Sequence, residues 1–133
     1  MGTQHFSEEA VIALVWIKKL YKASGEGFDG LSIGERIIQF DATSVNDSRS
    51  EYDNKRFNKG LGDLVELNIL AEDAEETFIL TTNGKAVLMA LAPLENLDYD
   101  IIEVVMNGTI KGADFIKKHG KNITDIVLRV LGK

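Results

Sequence analysis

The stretch that decides the fold is Phe57–Leu88, FNKGLGDLVELNILAEDAEETFILTTNGKAVL. In its first third, residues at offsets of 4, 7, 8 and 11 from Phe57 lie on one face of a helix; they are Leu61, Leu64, Val65 and Asn68. Asn68 also marks the helix end. Two short apolar runs, 70–71 and 77–80, flank the polar run 72–76. The pattern predicts a helix followed by a β-hairpin.

A further helix is predicted directly after the hairpin. Thr81 or Thr82 can cap it, and Pro93 ends it. Asn83-Gly84 also allows a rival interpretation, the turn of a second hairpin. We favour the helix because residues 85–91 show no alternation of apolar and polar side chains and are rich in Ala, Leu and Met.

Three helices are predicted before the hairpin. The first begins at Ser7, a favourable N-cap, and ends before the Gly-rich run 24–27. The second covers about 33–40 and the third about 50–67, and a capping-box pattern precedes each. The third contains two glycines, each of which costs roughly 1 kcal/mol against Ala, so it could bend or end early there.

The C-terminal part contains three shorter apolar segments. Asp98 or Asp100 is the predicted cap of the first. Thr109 caps the second, which Gly120 ends, and Asn122 caps the third. The last helix is too short to be stable alone, so its apolar face must pack on another surface.

Composition limits the classes of protein to consider. The chain has 133 residues with 44% hydrophobic and 27% charged residues, which is typical of a globular protein of one domain or of one domain with an added helical segment. The absence of cysteine excludes disulfides and thiolate chemistry and fits a cytoplasmic location. The apolar runs are too short to span a membrane. No catalytic triad, phosphate loop or zinc spacing is present, so neither an enzyme nor a cofactor or metal site is expected.

Basic and polar side chains cluster on the third predicted helix. Tyr52, Lys55 and Lys59 point away from its apolar face, and the flanks carry Arg49, Arg56 and Asn58. Lys and Arg suit phosphates and guanine, Asn suits adenine, and Tyr suits a phosphate or a thymine methyl. Gly62 also faces outward and would let another backbone approach closely. The alternative is an ordinary solvated face, because Glu51, Asp53 and Glu66 share this surface. The candidate DNA-binding residues are Arg49, Tyr52, Lys55, Arg56, Asn58 and Lys59.

The helix order, together with residues 64–65, 68–70 and 78–84 (FILTTNG), resembles a winged helix-turn-helix domain over about residues 8–92. The resemblance implies a mainly α fold with a small β-hairpin wing and additional C-terminal helices. It divides the chain into a winged helix-turn-helix domain, residues 1–92, and a C-terminal helical segment, residues 93–133. It also implies a sequence-specific transcriptional regulator whose third helix enters the major groove of double-stranded DNA.

The C-terminal helical segment, residues 93–133, is the first of two features that bear on the partners of the chain. Winged-helix regulators of the MarR and PadR types often dimerise through C-terminal helices, and a two-fold dimer suits a palindromic operator. We therefore favour a homodimer through residues 93–133, although these helices could instead fold back on the first helix and complete a monomeric core.

The hairpin is the second feature. A net charge of -6 and an acidic hairpin tip oppose phosphate binding. The alternative function is therefore a protein-interaction module that docks a basic partner at the acidic wing, without DNA binding. The carboxylates of the tip are Glu72, Asp73, Glu75 and Glu76.

Overall fold

The computed structural model of the chain describes residues 6–23, 36–37, 54–72 and 78–132. This part is mainly α-helical with a small antiparallel sheet, which confirms the predicted fold class. The elements, in chain order, are α1 (Glu8–Ala23), β1 (Arg36–Ile37), α2 (Asn54–Glu66), β2 (Leu70–Glu72), β3 (Phe78–Leu80), α3 (Thr82–Leu91), α4 (Asn96–Ile102), α5 (Gly112–Phe115) and α6 (Lys121–Val130). Two π-helical turns, Glu103–Asn107 and Ile116–Gly120, continue α4 and join α5 to α6.

Helix α1 forms the centre of the core. Residues 10–18 are all buried, and every one except Lys18 is apolar. A helix that is apolar on all sides belongs inside a protein. The Ser7 hydroxyl accepts a hydrogen bond from the Ala10 amide at 3.0 Å, which confirms the predicted N-cap. Helix α1 packs against α2 and also against α4 and α5, so it connects the N-terminal and C-terminal helices.

Lys18 is the one charged residue in this buried stretch. Its side chain is 0% exposed, and its ammonium donates a hydrogen bond to Asp98 of α4 at 2.9 Å. A buried charge is tolerated when it is paired and hydrogen-bonded. The ion pair therefore fixes α4 against α1.

The sheet has the order β1-β3-β2, and both pairings are antiparallel. Ala71 and Arg36 face Ile79 from opposite sides. The helix predicted over 33–40 is therefore wrong at Arg36–Ile37, where the backbone instead forms a strand along the edge of β3. The remainder of that predicted helix lies outside the described residues. A short apolar run does not distinguish strand from helix without knowledge of its pairing partner.

Helix α2 confirms the third predicted helix over the residues that the structure describes. It continues through both glycines and ends at Glu66, and Asn68 adopts a left-handed backbone with φ 63° just after it. A Cβ atom on Gly60 would lie 2.3 Å from the backbone oxygen of Glu9, so the glycine permits α1 and α2 to approach closely. Gly62 is exposed, and a Cβ atom there would meet nothing within 4 Å.

The hairpin and helix α3 also follow the prediction. The two strands pair, and Thr81 caps α3 by accepting a hydrogen bond from the Gly84 amide at 2.9 Å. The Thr81 hydroxyl also lies within hydrogen-bonding distance of the backbone oxygens of Asn68 and Ile69, which tie the cap to the end of α2. The rival interpretation of Asn83-Gly84 as a hairpin turn is wrong.

The C-terminal helices differ from the prediction in their boundaries. Helix α4 begins at Asn96, before both predicted caps. Lys111, rather than Thr109, precedes the next helix. That helix does not stop at Gly120, whose backbone is helical, with φ -59° and ψ -43°, so the predicted cap Asn122 lies inside a continuous helix from 112 to 130. Buried apolar side chains on both sides of Gly120 favour this continuity.

The apolar face of the last helix is covered within the chain. Phe115, Ile123 and Val127 are buried, and α6 packs against α3. The described C-terminal helices therefore share a core with α1 and α3. Among the described residues, the search for a helix of membrane-spanning length and hydropathy found none.

Candidate nucleic-acid interface on helix α2

Helix α2 is amphipathic and is oriented by its buried face. Phe57, Leu61 and Leu64 lie in the core. The opposite face is exposed to solvent, and it lies on a helix held from behind by α1 and followed directly by the hairpin. A rigid helix with one open polar face can present side chains in fixed geometry to a partner. The exposed residues of α2 are Lys55, Asn58, Lys59, Gly62 and Glu66.

The predicted site residues fall into three groups. Lys55 and Lys59 are exposed, as the helical spacing predicts, and Asn58, predicted on the flank of the helix, is exposed as well. Arg56 is half-buried between α2 and α1. Arg49 and Tyr52 lie outside the described residues. Within the described ranges, Lys55 forms no ion pair.

Arg56 is held by the first turn of α1. Its Nη2 atom donates to Glu8 Oε2 at 2.6 Å and to Glu9 Oε2 at 3.2 Å. Helical spacing alone makes Arg56 a candidate DNA contact and gives no sign of these two hydrogen bonds. The observed partners give the guanidinium a role in joining α2 to α1.

Lys59 belongs to a second set of polar contacts at the same helix junction. Its ammonium lies 2.8 Å from Asp63 Oδ2 and 3.6 Å from Glu9 Oε1. The Ser7 hydroxyl donates to the same Asp63 oxygen at 2.5 Å. The cap of α1 is thus connected through Asp63 to the exposed face of α2.

The charges at this junction stabilise one another. Burial raises the pKa of Glu9, but its backbone hydrogen bond and the hydrogen bond from Arg56 outweigh burial and bring this pKa below its ordinary value. Burial likewise raises the pKa of Asp63. The hydrogen bonds from Lys59 and Ser7, together with the positive charge of Lys59, have the larger opposite effect, so this pKa lies below its ordinary value. The hydrogen bond to Asp63 raises the pKa of Lys59, so Lys59 remains a cation at neutral pH.

The hairpin that follows α2 in the chain carries an exposed carboxylate. Glu72 ends β2 and is exposed. The other carboxylates of the predicted acidic tip, residues 73–76, lie outside the described residues. The exposed side chains of α2 carry charges of both signs. Lys55 and Lys59 lie toward the start of the helix, and Glu66 lies at its end.

A separate polar cluster lies in the C-terminal helices. His119 Nε2 is 2.7 Å from Asp100 Oδ2, and the Lys118 ammonium is 3.0 Å from the same oxygen. The His119 ring packs against Phe115 with 4.9 Å between ring centroids. In the part of the chain that the structure describes, no group of three or more side chains is arranged to hold a metal ion.

Sequence spacing could reveal part of this site. The Lys59–Asp63 pair has the i,i+4 spacing of a helical ion pair. The contacts of Arg56 with Glu8 and Glu9 span 48 and 47 residues, so no local pattern encodes them.

Comparison of the chain with protein-family models, curated proteins and solved structures found no match.

Proposed function

We propose that the chain is a winged-helix DNA-binding regulator that reads double-stranded DNA with helix α2. The observation that carries the proposal is the exposed face of α2, where Lys55, Asn58 and Lys59 lie together beside Gly62. The β2–β3 hairpin directly after α2, and its pairing with β1 in one small sheet, are the features in favour of the resemblance to winged helix-turn-helix domains.

The chemistry of this face suits a DNA groove. Lysines contact phosphates or guanine, and an asparagine amide can pair with adenine. Gly62 leaves space on the outer surface of the helix, so a sugar–phosphate backbone can approach without meeting a side chain. The exposed face offers contacts from Lys55, Asn58 and Lys59, and in the free protein the hydrogen bonds of Arg56 to Glu8 and Glu9 fix the angle between α1 and α2.

The test is binding to a mixed pool of genomic duplex DNA at about 50 and 200 mM salt, a range in which phosphate contacts change affinity steeply. Lys55→Ala should weaken binding and reduce the salt slope by about one, the effect of one lost phosphate contact. Adding Lys59→Ala should reduce both further. Lys117→Ala, which removes an exposed lysine from the C-terminal helices, is the matched control and should bind as the wild type does. An unchanged slope in the double variant contradicts the assignment of α2.

A second candidate function is docking of a basic protein at the acidic hairpin. The exposure of Glu72 and the net charge of -6 favour it. Failure of the wild type to retain DNA even at the lower salt would favour this function. Neutralising Glu72, Asp73, Glu75 and Glu76 should then release a basic partner, while Lys55→Ala should not. The homodimer predicted through residues 93–133 stays a proposal, and it would use surfaces other than the covered apolar face of α6.

A further inference from the structure

Glu9 lies between two cations of helix α2. Its Oε2 atom is 3.2 Å from Arg56 Nη2, and its Oε1 atom is 3.6 Å from Lys59 Nζ. Arg56 and Lys59 are three residues apart, so they are neighbours on one side of the helix. A single carboxylate thus bridges an arginine and a lysine, with one oxygen directed to each.

The cations are more exposed than the carboxylate that bridges them. The side chains of Arg56 and Lys59 are 31% and 57% exposed, whereas that of Glu9 is 19% exposed. Solvent, and therefore a partner's anion, can reach both cations. The distance from Glu9 to Lys59 exceeds that of a good hydrogen bond, so an anion that contacts Lys59 more closely can compete with Glu9.

A phosphate has the chemistry to replace this carboxylate. It offers several oxygens to the two cations, and arginine pairs with phosphate through parallel hydrogen bonds. Displacement of the Glu9 carboxylate would leave both cations with the carboxylates that lie closer to them. Glu8 Oε2, 2.6 Å from Arg56 Nη2, would keep α1 against α2, and Asp63 Oδ2 would remain 2.8 Å from Lys59 Nζ.

We infer that Arg56 and Lys59 form a phosphate-binding site that Glu9 occupies in the free protein, and that a backbone phosphate of the partner displaces the Glu9 carboxylate. The inference rests on the proposed function for the identity of the partner, because DNA supplies the phosphate. Glu9 acts in this arrangement as an internal competitor that limits the affinity of α2 for DNA.

The variant Glu9→Gln tests the inference, because it removes the competing charge while keeping the size of the side chain. It should bind duplex DNA roughly two- to fivefold more tightly than the wild type, the range of one partly exposed ion pair. Glu66→Gln is the matched control, since it removes one negative charge from the exposed face of α2 at a distance from the bridge and should gain less. Equal gains in the two variants would overturn the inference.

Inorganic phosphate separates failure of this site from failure of the proposed function. At constant ionic strength, phosphate should raise the melting temperature of Glu9→Gln more than that of the wild type or Glu66→Gln. The added change Arg56→Gln should abolish this difference. The shift in melting temperature caused by phosphate is measured for each variant against the same variant without phosphate. A general loss of stability in a variant therefore cancels before the shifts are compared. If no variant binds DNA but phosphate selectively stabilises Glu9→Gln, the site stands and the proposed partner is wrong. If phosphate does not stabilise Glu9→Gln selectively, the proposed phosphate-binding site is itself wrong.

Discussion

Two glycines of helix α2, only two positions apart, should respond to alanine in opposite directions. At Gly60 the added methyl group would lie 2.3 Å from the Glu9 backbone oxygen and 3.0 Å from Ala13 Cβ. Helices α1 and α2 would have to separate by about 1 Å before the first distance reached ordinary contact, which begins near 3.4 Å. Overpacking of this kind typically costs about 1–3 kcal/mol, and the better helix propensity of alanine returns up to roughly 1 kcal/mol of it.

At Gly62 only the propensity term applies, because a methyl group there meets nothing within 4 Å. Gly62→Ala should therefore raise the free energy of unfolding by about 0.5–1 kcal/mol, and Gly60→Ala should lower it by up to about 2 kcal/mol. Urea denaturation of the two variants, fitted with a common slope, measures the difference. A Gly60→Ala variant as stable as Gly62→Ala would refute the close approach of α1 and α2 that orients the exposed face.

Two further predictions concern the ion pairs of α4. Asp98→Ala should lower the free energy of unfolding, measured by urea denaturation, by about 3–5 kcal/mol, because it leaves the fully buried Lys18 ammonium unpaired. Lys18→Met removes the buried charge and should lower the free energy of unfolding clearly less. Equal losses in the two variants would argue against the burial of Lys18. Burial raises the pKa of Asp100, but the hydrogen bonds from His119 and Lys118 have the larger effect. They bring this pKa below its ordinary value of 3.8. A depressed pKa in the folded state adds stability that is present above the ordinary value and is lost as the pH falls through the folded value. Asp100→Asn should therefore be less stable than the wild type near neutral pH, and this difference in stability should shrink as the pH falls below about 5 and then through the folded-state pKa of Asp100, which lies below 3.8. A difference that stays constant over this fall in pH would contradict the pairing.

The elements with strong local signals could be predicted from the sequence. Asn68 and Thr81 mark the end of α2 and the start of α3 by their own backbone and capping preferences. The strand at Arg36–Ile37 could not, because it exists through pairing with β3, which is distant in the chain. Gly120 was misread for a related reason: burial of its neighbours, rather than its own propensity, keeps the helix continuous.

The candidate site shows the same division. The exposure of Lys55 and Lys59 follows from helical periodicity, whereas the same periodicity places Asn58 only on the flank of the helix. The role of Arg56 depends on the first turn of α1 packing beside α2, and this tertiary contact has no local sequence signal. Acidic residues such as Glu8 and Glu9 are typical of the first turn of a helix, so their presence in the sequence does not reveal that they also bind Arg56.

The most direct test of the account is to map the surface that duplex DNA touches. Backbone amide chemical shifts of the labelled protein would be followed while genomic duplex fragments are added at about 50 mM salt, where phosphate contacts are strong. If helix α2 binds DNA, the largest changes in chemical shift should fall at Lys55, Asn58, Lys59 and Gly62, with smaller ones at Glu9. Changes confined to the C-terminal helices, or no change at all, would contradict the claim that helix α2 binds DNA.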